Sequence, residues 1–81
     1  MKNLLSQYAA HFAAASLTSL VDIFNSQVGN RGWTSARACH DTALIREFKQ
    51  RGIDVSAVCR GDSISFAHRV QLTGNRLVTI D

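Results

Sequence analysis

The stretch TSARACHDTALIREFKQRGI, residues 34–53, decides the fold because it carries a helix with a signal at each end. Thr34 is a residue type that caps helix N-termini, where its hydroxyl accepts a bond from a free backbone N–H. At the other end, Gly52 follows the last helical residue, where a left-handed conformation closes many helices. Ile53 can then pack back on Phe48, which is the apolar contact of a Schellman motif.

Between these signals the apolar residues recur at helical spacing. Leu44 and Ile45 join Phe48 on one face, and Glu47 stands one turn before Arg51, an arrangement that stabilises a helix. The pattern predicts a helix from Thr34 to Arg51, with Trp33 packing across its first turn.

Upstream, residues 2–27 carry two further stripes of apolar residues at steps of three and four. The stripes consist of Leu4, Leu5, Tyr8, Ala9 and Phe12, and of Leu17, Leu20, Val21, Phe24 and Val28. One long helix from Lys2 to Gln27 fits this pattern, and so do two helices that break near Ser16. The break is favoured, because Ser16 offers an N-cap where the stripe restarts.

Downstream of Gly52 the period changes from helical to alternating. Residues 63–72 alternate between polar and apolar side chains, which predicts a strand, whereas residues 55–59 fit either a short strand or an irregular segment. Arg60-Gly61-Asp62 reads as a turn. A second turn follows at Gly74-Asn75, and a three-residue loop there places Val78 and Ile80 beside Val70 and Leu72 on one apolar face, so we expect that loop.

These elements predict a single α+β domain over residues 1–81. Two or three N-terminal helices would pack on a C-terminal antiparallel β-hairpin or three-stranded meander, in a winged-helix-like order. In that arrangement the third helix would enter the major groove of DNA and the hairpin around Gly74 would be the wing.

The charge of the chain is compatible with a polyanionic partner. Nine Lys and Arg against six Asp and Glu give +3, and eight of the nine cations lie at Arg31 or beyond. Such a surface attracts phosphate backbones, although a modest positive charge also serves solubility alone. Asp41 and Glu47 share the third helix with its cations, which weighs against binding of nucleic acid.

The sequence therefore favours a small, non-catalytic binding protein, either nucleic-acid-binding or regulatory. The alternative is a protein-interaction or adaptor domain acting as a homodimer, with Tyr8, Phe12 and the alanines of the first helix as its seam. The candidate nucleic-acid contacts are Arg31, Arg37, Arg46, Lys49, Arg69 and Arg76, of which Arg46 and Lys49 share an exposed helical stripe with Ser35 and Thr42.

Other chemistries lack a specific pattern. Cys39, His40, Cys59 and His68 do not have the paired spacing of a zinc site, and His68 falls on the apolar face of its strand. No catalytic or phosphate-loop motif is present, so we expect no enzyme activity, no cofactor and no metal. Two cysteines do not make a disulfide framework, and two free buried thiols are expected.

The N-terminal segment does not have the uninterrupted apolar run of a signal peptide. Polar residues at positions 6–8 and 11 interrupt any apolar run, and no segment has the length of a membrane span. The sequence predicts a soluble cytoplasmic protein with no membrane partner.

Overall fold

Three helices precede four short strands. A computed structural model describes residues 4–29, 34–61 and 63–80. Within them lie α1 (Leu4–Ala13), α2 (Leu17–Gln27), α3 (Ser35–Gln50), β1 (Cys59–Arg60), β2 (Ser63–Ile64), β3 (Val70–Thr73) and β4 (Arg76–Thr79). β1 pairs with β2 and β3 with β4, both antiparallel, so these residues form two hairpins. The predicted α+β class, with helices first and strands last, is confirmed.

One apolar cluster joins the helices to the hairpins. α1 packs along α3, and α2 packs on β3. The large apolar side chains at 0–1% exposure are Phe12, Leu20, Phe24, Leu44, Phe48, Val70 and Leu77. Each helix and the second hairpin contribute to this core.

Hydroxyl caps begin the second and third helices. The Ser16 hydroxyl accepts a bond of 3.1 Å from the Ser19 N–H, which confirms the break into two helices. The Thr34 hydroxyl accepts a bond of 3.0 Å from the Arg37 N–H, as expected of an N-cap. The predicted contact of Trp33 falls outside the described residues.

The end of α3 is the Schellman motif that the sequence predicts. Gly52 has a φ of 76°, and its N–H donates to the Lys49 carbonyl at 3.0 Å. The Ile53 N–H donates to the Phe48 carbonyl at 3.0 Å, and both side chains are buried in the core.

Gly52→Ala is expected to lower the free energy of unfolding by about 1–2 kcal/mol, because a side chain disfavours a positive φ. A Cβ built at Gly52 meets no atom within 4 Å, so backbone strain rather than a clash causes the loss. Gly52→Asn is the matched control, since asparagine tolerates the left-handed region, and it should lose less in urea denaturation. Equal losses in the two variants would contradict a left-handed closure.

The loop of the second hairpin differs from the prediction. Leu72 pairs with Leu77 and Thr73 with Arg76, so the loop has two residues, and the three-residue loop is wrong. Gly74 has a φ of 60°, whereas the φ of Asn75 is not positive. This combination indicates a type II′ turn. The core buries Leu77 rather than Val78, which lies opposite Gln71 on the other face.

The predicted strand over residues 63–72 is interrupted. β2 ends at Ile64 and β3 begins at Val70, because the first pairs with β1 and the second with β4. Between them Phe66 turns to the helices, where its ring stacks on Phe24 with centroids 4.6 Å apart. His68 lies in this segment and is exposed, so its assignment to an apolar face is wrong.

The backbone groups on the outer edges of the β3–β4 hairpin form hydrogen bonds with a side chain of α2 and with the segment after α3. The Asn25 amide accepts from the Val70 N–H at 2.8 Å and donates to the Val70 carbonyl at 2.9 Å, as a paired strand would. On the other edge the Leu77 N–H donates to the Asp54 carbonyl at 2.9 Å. These bonds fix the hairpin against α2 and the segment after α3.

Candidate nucleic-acid interface

The acidic side chains of α3 face the protein interior. Asp41 is 1% exposed and Glu47 is 8% exposed, although carboxylates are rarely buried unless they are paired. Each has an arginine partner four residues away, Arg37 within α3 and Arg51 at its C-cap.

Arg37 neutralises Asp41 and also contacts α2. Its Nε lies 3.3 Å from Oδ2 of Asp41, and its Nη2 donates to the Gln27 carbonyl at the end of α2. The guanidinium lies over the Phe66 ring, 5.4 Å from the centroid. Nδ1 of His40 lies 3.1 Å from the other Asp41 oxygen. The carboxylate therefore has partners on both oxygens.

Arg51 neutralises Glu47 and holds the end of α1. Its Nε donates to Oε2 of Glu47 at 2.7 Å. Its Nη2 lies near the carbonyls of Phe12, Ala13 and Ala15, at 3.0, 3.3 and 2.7 Å. A cation at this place stabilises the carbonyl end of a helix, since free carbonyls carry partial negative charge there.

The solvent face of α3 is left with positive charge. Arg46 and Lys49 are exposed, and neither forms an ion pair with any residue in the described ranges. They stand three residues apart, which brings their Cβ atoms to about 5–6 Å on a helix. The inward orientation of the two acids removes the objection that the mixed charge of this helix raises.

A groove lies between this face and the first hairpin. It has a volume of about 470 Å³, with Thr42, Ile45, Arg46 and Lys49 on the α3 side and Cys59, Gly61 and Ile64 on the hairpin side. Among the described residues that line it, none is acidic. A second depression of about 380 Å³ adjoins it at Lys49 and Cys59 and includes Asp54.

The predicted contact residues are divided among several places. Arg46 and Lys49 lie together on the groove, and Arg31 falls outside the described residues. The side chain of Arg37 is only 11% exposed and binds Asp41, so Arg37 lies inside the protein rather than on the predicted contact surface. Arg69 and Arg76 are exposed on the second hairpin, before β3 and in β4.

Arg76 has an acidic neighbour. The backbones of Arg76 and Asp54 form an isolated parallel β-bridge. The Ser56 N–H, which donates to this carboxylate at 2.8 Å, the Ser56 hydroxyl and the Arg76 cation together hold the pKa of Asp54 below its usual value. The charge of Arg76 is therefore partly compensated, whereas Arg46 forms no ion pair with an acid in residues 4–29, 34–61 and 63–80.

The hairpin side of the groove is absent from the sequence-based candidates. Sequence reasoning placed the wing at Gly74, but the hairpin beside α3 is β1–β2, with Cys59, Gly61 and Ile64 on the groove. The turn signal at Arg60-Gly61-Asp62 was available, and an apolar residue on each side of it could have identified a second hairpin.

The two aromatic residues of the predicted dimer seam on α1 pack within the chain. Phe12 is 1% exposed, and the rings of Tyr8 and Phe12 both contact His40 of α3, with centroids 5.1 Å apart. The alanines of that seam, Ala9, Ala10 and Ala13, are exposed, and the homodimer alternative stays a prediction.

Cys39 and Cys59 are both free, but each is partly rather than fully buried, which corrects the expectation of two buried thiols. Over residues 4–29, 34–61 and 63–80, no three His, Cys, Asp or Glu side chains gather as a metal site would require. In the same ranges no helix is long and apolar enough for a bilayer.

Comparison with known proteins gave no match to a protein-family model, a curated protein or a solved structure.

Proposed function

We propose that this chain is a non-catalytic protein that binds nucleic acid, DNA or RNA, through the solvent face of α3 and the groove beside it. The observation that carries the proposal is the sorting of charge on α3. Asp41 and Glu47 are turned inward and paired, while Arg46 and Lys49 are exposed without an acidic partner in the described chain.

Electrostatics explain why this arrangement suits a polyanion. An exposed acid beside Arg46 or Lys49 would repel phosphate and cancel much of the attraction at short range. Pairing inside the protein removes the repulsion that Asp41 and Glu47 would cause, so the exposed charges of α3 itself are those of its two cations. A phosphate chain that approaches them releases condensed counterions, which drives association at low salt.

The second hairpin is the place for secondary contacts. Arg69 and Arg76 are exposed there, but the negative charge of Asp54 acts on Arg76 and reduces the net field. We therefore expect the α3 pair to contribute more to affinity than the hairpin pair does.

Fluorescence anisotropy of a labelled DNA duplex at low salt tests the proposal. The wild-type protein should bind in the range of non-specific affinities, about 1–100 µM, and the affinity should fall steeply as salt rises. Arg46→Gln with Lys49→Gln should weaken binding and reduce the slope of log K against log salt by about 2, since each lost phosphate contact contributes about 0.9.

Arg69→Gln with Arg76→Gln is the matched control, because it lowers the net charge by the same amount at a different place. It should cost less affinity than the α3 double variant. Equal losses would show that only overall charge matters, and absence of binding by wild type at about 100 µM would refute the function.

A further inference from the structure

The groove beside α3 continues into the second depression. Both spaces are lined by Lys49, Cys59 and Gly61, so they meet at these residues. The groove has Arg46 on it as well as Lys49, whereas the second depression has Lys49 and Asp54. Lys49 therefore lies where a surface with a second cation meets a surface with a carboxylate.

The Asp54 carboxylate is held in one place. The backbone N–H of Asp54 donates to the Asn75 carbonyl at 2.7 Å, and its carbonyl accepts the Leu77 N–H at 2.9 Å. Its side chain accepts the Ser56 N–H at 2.8 Å, as in an Asx turn. The backbone bonds fix the main chain and the turn fixes the side chain, so the position of the charge in the depression is defined.

This carboxylate carries its negative charge at neutral pH. Hydrogen bonds from Ser56, together with the Arg76 cation, hold the pKa of Asp54 below its usual value. Asp54 is exposed, so its charge acts on any ligand that enters the depression. A phosphate is therefore attracted on the Arg46 side of Lys49 and repelled on the Asp54 side.

We infer that Asp54 confines a bound polyanion to the Arg46 side of Lys49, so that its phosphates follow α3 and stay out of the second depression. The inference rests on the proposed function and adds a residue that determines where on this surface phosphate is accepted. Asp54 acts by repulsion, so its removal should tighten binding rather than weaken it.

Asp54→Asn tests this inference, because the amide removes the charge and keeps an oxygen that can accept the Ser56 N–H. In anisotropy titrations of a labelled DNA duplex at low salt, the variant should bind about two- to sixfold tighter than wild type, the effect of one unit charge at about 8 to 4 Å in water. Asp54→Ser, whose hydroxyl can also accept this bond, should show the same gain, and urea denaturation checks that both variants are folded.

Asp22→Asn is the matched control, since it removes an exposed acid from α2 and changes the net charge by the same amount. It should change affinity less than Asp54→Asn does. A gain for Asp54→Asn no larger than that of the control, or weaker binding by a folded variant, would overturn the inference.

Two double-mutant cycles locate the effect. Lys49→Gln should reduce the gain from Asp54→Asn, because the phosphate that Lys49 binds is the group that the carboxylate repels. Arg76→Gln should leave most of that gain. The reverse result, a gain that persists without Lys49 and is lost without Arg76, would show that Asp54 acts through the second hairpin and would overturn the inference.

The outcomes separate this inference from the proposed function. If Asp54→Asn brings no gain, the proposed function still holds provided that Arg46→Gln with Lys49→Gln weakens duplex binding. If wild type binds no nucleic acid at about 100 µM, both proposals fail.

Discussion

Phe48→Ala is expected to lower the free energy of unfolding by about 3–5 kcal/mol, a large share of the stability of a small protein. The Phe48 side chain is fully buried, so its removal loses apolar contacts and leaves a cavity. Its carbonyl accepts the Ile53 N–H in the closing turn of α3, so the residue also stands where helix and core meet. Urea denaturation measures the loss.

Two comparisons show whether burial is the cause. Phe48→Leu keeps most of the volume and should cost clearly less than Phe48→Ala. Arg46→Ala, at an exposed position on the same helix, should change stability by less than about 0.5 kcal/mol. A loss for Arg46→Ala that rivals the loss for Phe48→Ala would overturn the assignment of the two helix faces.

Arg51→Met is expected to cost about 3 kcal/mol in unfolding free energy, in the range for breaking a buried pair. The substitution leaves the Glu47 carboxylate, 8% exposed, without its cation. It also removes the guanidinium from the carbonyls of Phe12 and Ala15 at the end of α1. The contact between α1 and α3 should weaken as a result.

A double-mutant cycle separates the buried charge from the other losses. Glu47→Leu with Arg51→Met removes both charges, so it should be less destabilising than the sum of the two single variants. Additive losses would show that the pair is not coupled, and that Arg51 acts only through the α1 carbonyls.

The helices could be predicted because their boundaries are set by neighbouring residues. Ser16 and Thr34 cap with their own hydroxyls, and Gly52 closes α3 through bonds to the preceding turn. Each of these helix ends depends only on residues within a few positions, so the sequence pattern is sufficient to predict it.

The strands could not be predicted as well because distant residues determine them. Asn25 bonds both backbone groups of Val70, which is 45 positions away, and Asp54 bonds Leu77. The prediction placed Val78 and Ile80 on the apolar face with Val70 and Leu72, but Ile80 is 46% exposed. Register was decided by these contacts and by the turn at Gly74.

Only the part of the candidate site that depends on neighbouring residues could be predicted from the sequence. Helical periodicity placed Arg46 and Lys49 on one exposed stripe, and the structure has them there. The inward orientation of Asp41 and Glu47 depends on α1, α2 and their carbonyl ends, which a helical projection does not include. Polarity alone would place both acids in solvent.

The central claim, that the face of α3 between Thr42 and Lys49 is where the ligand binds, is tested most directly by amide chemical shifts. A titration of isotopically labelled protein with a short DNA duplex at low salt is the measurement. We predict that the largest shifts occur at Thr42, Arg46, Lys49 and Gly61, around the groove. The largest shifts on the exposed side of α1, at Ala9 and Ala10, or no shifts at all, would contradict the claim.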